Sequence, residues 1–159
     1  MVERQQYNEA WPEEIKGKLE SEFQSKIKVS KTAVRRIWAD VDCESIYDVC
    51  MYLRDELNFE HCATVIGVDY VDHMDVVYHI DNYTNYCGVV VELNVHLPAD
   101  NLHVRSVATL WGGANWHERE TYELFGIIFD GHPNLKRLLT PETYEFFPFR
   151  KSYKLRGQQ

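Results

Sequence analysis

The sequence lacks the glycine-rich loops, apolar runs and leader that mark cofactor-binding, membrane-spanning and exported chains. Gly112-Gly113 is its only glycine pair, and it is too short for a dinucleotide or phosphate loop. No run approaches the roughly twenty apolar residues of a membrane helix, and residues 1–11 are polar, without the apolar core of a signal peptide. We therefore expect a soluble chain that is not exported and that binds no flavin, nicotinamide or iron–sulfur cluster of its own.

Cysteine and histidine show no metal-ligand spacing. The cysteines include no C-x-x-C pair and have no histidine nearby at zinc-site spacing. Small buried hydrophobes in a reducing cytoplasm are the expected role of Cys43, Cys50, Cys62 and Cys87. The histidines outside the C-terminal third are scattered along the chain: His61, His73, His79, His96 and His103. We predict neither a metal site nor a redox dithiol.

Charge is unevenly distributed along the 159 residues, a length that fits one domain. The net charge is −8, but residues 136–159, here called the tail, carry six basic and two acidic residues, a balance of +4 that leaves −12 for residues 1–135. The cations are Lys136, Arg137, Arg150, Lys151, Lys154 and Arg156. They suit nucleic acid, anionic lipid or an acidic protein surface. Interleaved aromatic residues favour the protein partner: Tyr144, Phe146, Phe147, Phe149 and Tyr153.

Periodicity predicts helices and strands in residues 1–98. Pro12 at a first-turn position and the apolar spacing after it predict a helix over residues 11–24. A second amphipathic helix is expected to start from an Asp42 N-cap and to end at Asn58. Alternating apolar residues predict five strands, over residues 26–30, 33–41, 61–70, 75–80 and 88–97. The first two strands would form a hairpin through Lys31-Thr32.

These elements indicate an α+β fold. We expect a two-layer domain over residues 1–98, with a mixed sheet of about five strands and helices packed on it. Residues 99–159 belong to the same structural unit and add a short helix over 104–111 and a second over 116–125. Asn115 is the expected cap of that second helix and Gly126 its end. A turn over 130–133 then leads to an extended tail with a helical turn from Pro141.

Two of the three acids in the helix over residues 116–125 have different predicted environments. On a helical wheel Glu118 falls within the apolar arc, whereas Glu123 falls on the polar arc. A buried carboxylate must be paired, hydrogen-bonded or protonated. We therefore predict that Glu118 is buried against a cation, either Arg137, Arg150 or one from a partner. Glu118→Gln is accordingly expected to be more damaging than Glu123→Gln.

A catalytic interpretation of the same helix is possible. His117, Glu118 and Glu120 could form an acid–base cluster of a stand-alone enzyme. A zinc-protease pattern is absent, because Thr121 stands where the second histidine would be. His132 suits either a catalytic or quinone-binding histidine or, as we favour, a turn residue that satisfies backbone groups. A small protein adaptor that recognises an acidic protein through its tail is the other alternative.

Four ordered blocks carry a family resemblance: NWHERE, ETYELFGI, GHPNLKRLL and PFRKSY, all within residues 115–153. This segment closely resembles the signature region of the C subunit of respiratory complex I, the NADH:quinone oxidoreductase. It also resembles relatives of that protein in deazaflavin-oxidising dehydrogenases and membrane-bound hydrogenases. The resemblance covers about the last third of the chain, and the first hundred residues match in pattern only.

The resemblance implies a non-catalytic, cofactor-free subunit of a peripheral arm on the cytoplasmic side of the membrane. Its expected neighbours are the large, hydrogenase-like D subunit and iron–sulfur subunits, which hold the clusters and the flavin. The whole complex would transfer electrons from NADH, reduced deazaflavin or ferredoxin to a quinone-type carrier, with ion pumping. The implied interface and structural residues are Trp116, His117, Glu118, Arg119, Glu120, Tyr122, Glu123, Gly126, His132, Pro133, Lys136, Arg137, Pro141, Glu142, Pro148, Arg150, Lys151 and Tyr153.

Three positions depart from the pattern that this resemblance leads us to expect. Glu123 stands where an aspartate is more usual. Ser152 stands where an acid often follows the Arg150-Lys151 pair, and Phe146-Phe147 precede Pro148 in place of a small or polar residue. The ETYELFG block, the short chain and its acidic body resemble the archaeal deazaflavin-oxidising or hydrogenase-linked branch more than the bacterial NADH branch.

Overall fold

A five-stranded mixed sheet with helices packed against one face forms the centre of the fold. The computed structural model describes residues 7–154; Arg156 of the tail and the first six residues of the polar N-terminal stretch lie outside that range. The helices are α1 (Trp11–Phe23), α2 (Ile46–Asp55) and α3 (Ala114–Phe125). The strands are β1 (Ile27–Ala33), β2 (Arg36–Val41), β3 (His61–Asp69), β4 (His73–Asp81), β5 (Val90–Pro98), β6 (His103–Arg105) and β7 (Ile128–Asp130).

The large sheet has the strand order β1-β2-β5-β4-β3. Neighbours are antiparallel except for β2 and β5, which run parallel with Ile37 opposite Val91. The pair is parallel because α2 and the β3–β4 hairpin form the crossover between these two strands, whereas adjacent strands joined by tight turns must be antiparallel. The predicted α+β class and the mixed sheet are thereby confirmed.

The core lies between the helices and one face of this sheet. The alternation predicted over residues 88–97 is confirmed, since Val91, Leu93, Val95 and Leu97 are all fully buried. They form one cluster with the apolar face of α1 and α2, which includes Ile15 of α1. The intervening residues of β5 are polar and lie on the opposite face: Glu92, Asn94 and His96. In residues 7–154 no helix covers that second face.

The first hairpin forms, but its turn lies three residues further along than predicted. β1 and β2 pair with Ala33 opposite Arg36, so Val34 and Arg35 make the turn in place of Lys31-Thr32. Arg35 adopts a positive φ of 61°, and Val34 is 76% exposed. The β-branched Val34 favours a strand by propensity, and this concealed the turn in the sequence.

Helix α2 buries the predicted apolar stripe but is shorter than expected. Its buried residues are Ile46, Val49, Cys50 and Leu53. The predicted Asp42 side-chain cap is wrong: Asp42 precedes a 3-10 turn over Cys43–Ser45, and its backbone carbonyl accepts from the Ser45 N–H at 2.8 Å. The helix ends at Asp55, because the chain turns sharply to Asn58, whose φ is 56°.

The helix predicted over residues 104–111 is wrong. Residues 103–105 form strand β6, which pairs in parallel with β7 so that Val104 lies opposite Phe129. Both side chains are buried, and residues 108–110 form a turn. The parallel partner of β6 lies about 25 residues further along the chain, and apolar spacing within one segment cannot indicate such a distant pairing.

Helix α3 lies against strand β3 at the edge of the sheet. It starts at Ala114, and the predicted cap Asn115 lies inside it, without a side-chain cap at its start. Gly126 ends it with a left-handed φ of 76°, as predicted. A Cβ on Gly67 of β3 would lie 2.7 Å from the Phe125 ring, so this glycine allows the close approach of helix and strand. Thr121 Oγ1 donates to the Val65 carbonyl at 2.9 Å across the same contact.

The four cysteines are free thiols. Cys50 and Cys62 are buried as predicted, while Cys43 and Cys87 are half-buried. Burial raises the pKa of Cys62 to about 12, so this thiol stays protonated and behaves as a small hydrophobe. As for membrane spans, none of the helices within residues 7–154 is long and apolar enough to cross a bilayer.

Candidate functional site on helix α3 and the tail

Glu123 fastens the tail to α3. Its side chain is fully buried and accepts hydrogen bonds from the backbone N–H groups of Leu138, Leu139 and Thr140, with 2.9 Å from Leu139 N to Oε2. Burial alone would raise the pKa of Glu123, but the hydrogen bonds from Thr140 and the backbone outweigh it and lower the pKa. The exposed position predicted for Glu123 is therefore wrong, since this carboxylate is a buried anion.

Two tail arginines bind the C-terminal end of α3. Arg137 Nη1 donates to the Glu123 carbonyl at 3.3 Å, and Arg150 Nε donates to the Phe125 carbonyl at 2.6 Å. The last carbonyls of a helix have no partner within the helix and form its negative end, so cations are favourable there. Arg119 Nε makes the reciprocal contact, from the helix to the Lys136 carbonyl at 2.9 Å.

Glu118 is fully buried as predicted, but its partners are not the predicted arginines. Its carboxylate accepts from Ser106 Oγ and, at 2.7 Å, from the Val107 N–H. Burial raises its pKa to about 7, against the hydrogen bonds from Ser106 and Val107, which lower it. The predicted pairing with Arg137 or Arg150 is wrong because those side chains reach backbone carbonyls at the far end of the helix.

His132 lies beside Glu118 as a neutral turn residue. His132 Nε2 is 3.1 Å from the Asn115 carbonyl, to which it must donate, and Nδ1 accepts the Asn134 N–H at 3.0 Å. These two bonds assign the neutral tautomer with the proton on Nε2. Burial lowers the pKa of His132, as does Arg119, against the Asn115 carbonyl, which raises it. Nε2 is 3.9 Å from Glu118 Oε2. The turn role favoured for His132 agrees with this geometry.

The proposed acid–base cluster is not assembled around α3. Glu118 points into the interior, whereas Glu120 is exposed and His117 is half-buried. Among residues 7–154, neither His117 nor Glu120 forms a hydrogen bond or an ion pair with Glu118. The histidine that approaches Glu118 is His132, which comes from the turn after β7.

Large apolar side chains remain on the outside of α3 and the tail. Trp116, Leu139, Phe146 and Phe149 are each more than half exposed. Arg119 lies over the Trp116 ring at 5.2 Å, so a cation and an aromatic face are presented together. An exposed group of this composition is typical of protein–protein interfaces, which are enriched in aromatic residues and arginine. We call these four side chains the exposed apolar group.

The signature residues divide into an inner and an outer set. The inner set is buried or half-buried and makes contacts within the chain: Glu118, Arg119, Tyr122, Glu123, Gly126, His132, Arg137, Pro148, Arg150 and Tyr153. The outer set is exposed, apart from the half-buried His117: Trp116, His117, Glu120, Pro133, Lys136, Pro141, Glu142 and Lys151. Sequence reasoning missed the N–H groups of 138–140, because backbone donors leave no mark in residue types. It missed Ser106 because this hydroxyl comes from a segment 12 residues before Glu118.

An α+β domain whose last helix holds an irregular tail through Glu123, with large apolar side chains left exposed, has the character of an assembly subunit. The chain belongs to the family described as respiratory-chain NADH dehydrogenase, 30 Kd subunit, whose model matches residues 39–159. This confirms the predicted resemblance and extends it well beyond the last third. The chain is thus a subunit of a complex I-like membrane oxidoreductase, and it belongs to an enzyme as part of that complex.

Individual relatives agree with this family. The chain is 45% identical over 121 residues to the C subunit of the F(420)H(2) dehydrogenase of Methanosarcina mazei, an alignment that covers 74% of this chain and 75% of the relative. It is 44% identical over 120 residues to the C subunit of the NADH-quinone oxidoreductase of Salinispora tropica, covering 72% of this chain but only 48% of that relative. The fold matches a chain of the membrane-bound sulfane sulfur reductase, an archaeal respiratory membrane complex, with a TM-score of 0.78 and 21% identity, covering 91% of this chain and 86% of that one.

Proposed function

We propose that this chain is a peripheral-arm subunit that docks on the large, hydrogenase-like D subunit and on neighbouring iron–sulfur subunits, at the cytoplasmic side of the membrane. It holds no flavin, nicotinamide or iron–sulfur cluster of its own. It supports electron transfer from a reduced coenzyme, either NADH, reduced deazaflavin or ferredoxin, to a quinone-type carrier with ion pumping. The deazaflavin branch stays a prediction, since the identities to the two relatives are 45% and 44%.

The clamp between Glu123 and residues 138–140 is the observation that carries this proposal. It holds the start of the tail against α3. The exposed apolar group is therefore already positioned before any partner subunit binds. Preorganised side chains lose less entropy on association, and exposed aromatic residues beside arginine are the usual anchors of an interface. The acids of α3 that point inward are engaged within the chain, which supports a structural role for them.

Point variants of the exposed apolar group test the docking surface. In complexes isolated from native membranes through a tag on this chain, Phe146→Ser and Trp116→Ala should lower recovery of the large partner at least tenfold. A loss of about 1.4 kcal/mol in binding free energy is enough for that effect. Val34→Ser is the control, because Val34 is at least as exposed as Phe146 and Trp116 but lies at the β1–β2 turn.

Unchanged recovery with Phe146→Ser and Trp116→Ala would refute this docking surface.

An optical spectrum and iron analysis of the purified chain test the other part of the proposal. One flavin or one iron–sulfur cluster per chain would refute the statement that redox groups lie in the partner subunits.

A further inference from the structure

Three side chains that are scattered in the sequence meet on the uncovered face of the sheet. Asp75 of β4 lies directly opposite His96 of β5 in the antiparallel register, and His73 lies two residues before Asp75 on the same face. Residues two apart on one strand, and residues opposite each other on neighbouring strands, share a face of the sheet. The spacing that appeared random along the chain therefore converges in space.

The distances between the donor atoms suit a small divalent ion. Asp75 Oδ1 is 3.2 Å from His96 Nδ1 and 3.8 Å from His73 Nε2. One donor atom from each of the three residues lies within 4.8 Å of the others. In a tetrahedral zinc site with bonds of about 2.0–2.2 Å, ligand atoms lie roughly 3.3–3.6 Å apart. The separations of 3.2 Å and 3.8 Å from Asp75 Oδ1 bracket that spacing.

Outer contacts already orient two of the three ligands. His73 Nδ1 is 2.9 Å from Asp72 Oδ1, which directs Nε2 towards Asp75. Asn94 Nδ2 donates to Asp75 Oδ2 at 3.1 Å and leaves Oδ1 for the two histidines. A carboxylate on the remote nitrogen of a histidine and a hydrogen bond to a ligating carboxylate are the usual outer contacts of a metal site.

The charge of Asp75 is an independent indication. Asp75 is only 8% exposed, yet no lysine or arginine of residues 7–154 forms an ion pair with it. A nearly buried carboxylate without a fixed cation is costly. Four other histidines of the described chain each meet a single carboxylate: His61 with Asp81, His79 with Glu92, His103 with Asp130 and His132 with Glu118. The triple arrangement is therefore distinct from an ordinary histidine–carboxylate contact.

We propose that His73, Asp75 and His96 bind one Zn²⁺ ion, with the fourth position open to water or to a ligand from outside the chain. Two imidazole nitrogens and one carboxylate oxygen form a donor set that zinc accepts readily. The ion would link β4 to β5 on the face that no helix of residues 7–154 covers, and it would neutralise Asp75. This site does not depend on the proposed function, and it departs from the sequence-based expectation of no metal site.

Zinc titration of the full chain, prepared without a histidine tag and stripped with chelator, tests the site. Calorimetry should give one Zn²⁺ per chain, and His96→Ala should weaken the affinity at least tenfold. The His96 side chain is 62% exposed, so this variant should keep the fold, which circular dichroism verifies. Asp72→Asn should weaken binding by about 10–100-fold through loss of the outer contact.

His103→Ala is the matched control, since His103 is also exposed and meets one aspartate on another part of the surface. It should bind zinc like the wild type. Absence of stoichiometric binding to the wild-type chain would overturn the proposal. Equal losses in His96→Ala and His103→Ala would overturn it as well, because they would show adventitious binding to surface histidines.

Discussion

Glu118 Oε2 and His132 Nε2 lie 3.9 Å apart in the interior, and the pair is not an ion pair at neutral pH. His132 is held neutral by the Asn115 carbonyl on Nε2 and the Asn134 N–H on Nδ1. Glu118, with a pKa of about 7, carries its charge only partly at neutral pH. The buried acid that we predicted to pair with a cation is instead stabilised by Ser106, by a backbone N–H and by protonation.

The first prediction concerns pH. Because burial raises the pKa of Glu118 from an ordinary value of 4.5 to about 7, the folded chain binds more protons than the unfolded chain between those values. Protonated Glu118 therefore stabilises the folded chain fully below about pH 4.5. This stabilisation falls as the pH rises to about 7, and above that pH the contribution of Glu118 to the unfolding free energy no longer changes. The total fall is about 3 kcal/mol.

Glu118→Gln removes this dependence. His132, whose pKa is lowered, has the opposite trend up to about pH 6.5, but it is present in both proteins and cancels in the comparison. Denaturant unfolding from pH 5 to 8 should show Glu118→Gln gaining stability relative to the wild type as pH rises. A difference that does not change with pH would contradict the raised pKa.

The second prediction reverses the ranking expected from the wheel. At pH 7.5, Glu123→Gln should destabilise the chain by about 1.5–3 kcal/mol, because an amide NH₂ would face the N–H groups of Leu138–Thr140 in place of a charged acceptor. Glu118→Gln should cost less, since the amide resembles the protonated acid. Exposed Glu120→Gln is the control and should stay within about 0.5 kcal/mol of the wild type. Thermal or denaturant unfolding measures all three, and equal effects of Glu123→Gln and Glu120→Gln would show that the clamp is absent.

Periodicity predicted the large sheet because one face of it is buried by the chain itself. It failed for Glu123 because α3 is buried on two sides, by β3 at Thr121 and by the tail at Glu123. A wheel with one apolar arc describes a helix with one buried side only. The partners of Glu123 are backbone donors about 15 residues away, and no residue type in the tail indicates them. The residues of the proposed zinc site left no spacing signal for a similar reason, since strand register brings them together.

The third prediction concerns the packing of α3 on β3. Gly67→Ala should destabilise the chain by about 1–3 kcal/mol, because the new methyl group would overlap the Phe125 ring and force α3 away from the strand. Gly17→Ala is the opposite case, since nothing lies within 4 Å of the added Cβ on the exposed side of α1. It should stabilise the chain by about 0.5–1 kcal/mol. Thermal unfolding of both variants measures the two effects. A Gly67→Ala variant as stable as the wild type would contradict the prediction.

The fourth prediction concerns the planar guanidinium of Arg137. This side chain bonds the Glu123 carbonyl and the Phe146 carbonyl at once and lies over the Phe147 ring. Lysine keeps the charge but cannot form this fork, so Arg137→Lys should free the tail and increase its cleavage by trypsin several-fold. Lys136→Arg is the neighbouring control, because Lys136 is exposed.

Trypsin cleaves after both lysine and arginine, so neither substitution removes its cleavage site. Limited proteolysis followed by mass analysis of the fragments compares the two variants. Equal cleavage of the tail in Arg137→Lys and in the wild type would show that positive charge alone, without the fork, fastens this segment.

The parallel pairing of β2 with β5 also sets an order of folding during synthesis. The β1–β2 hairpin can close as soon as Arg36–Val41 has left the ribosome, but its place in the sheet waits for Val90–Pro98. A pairing across more than fifty residues is a slow, non-local step. Until β5 arrives, one edge of β2 offers unpaired backbone groups to any other strand. The nascent chain is therefore most exposed to misassembly while α2 and the β3–β4 hairpin are being made.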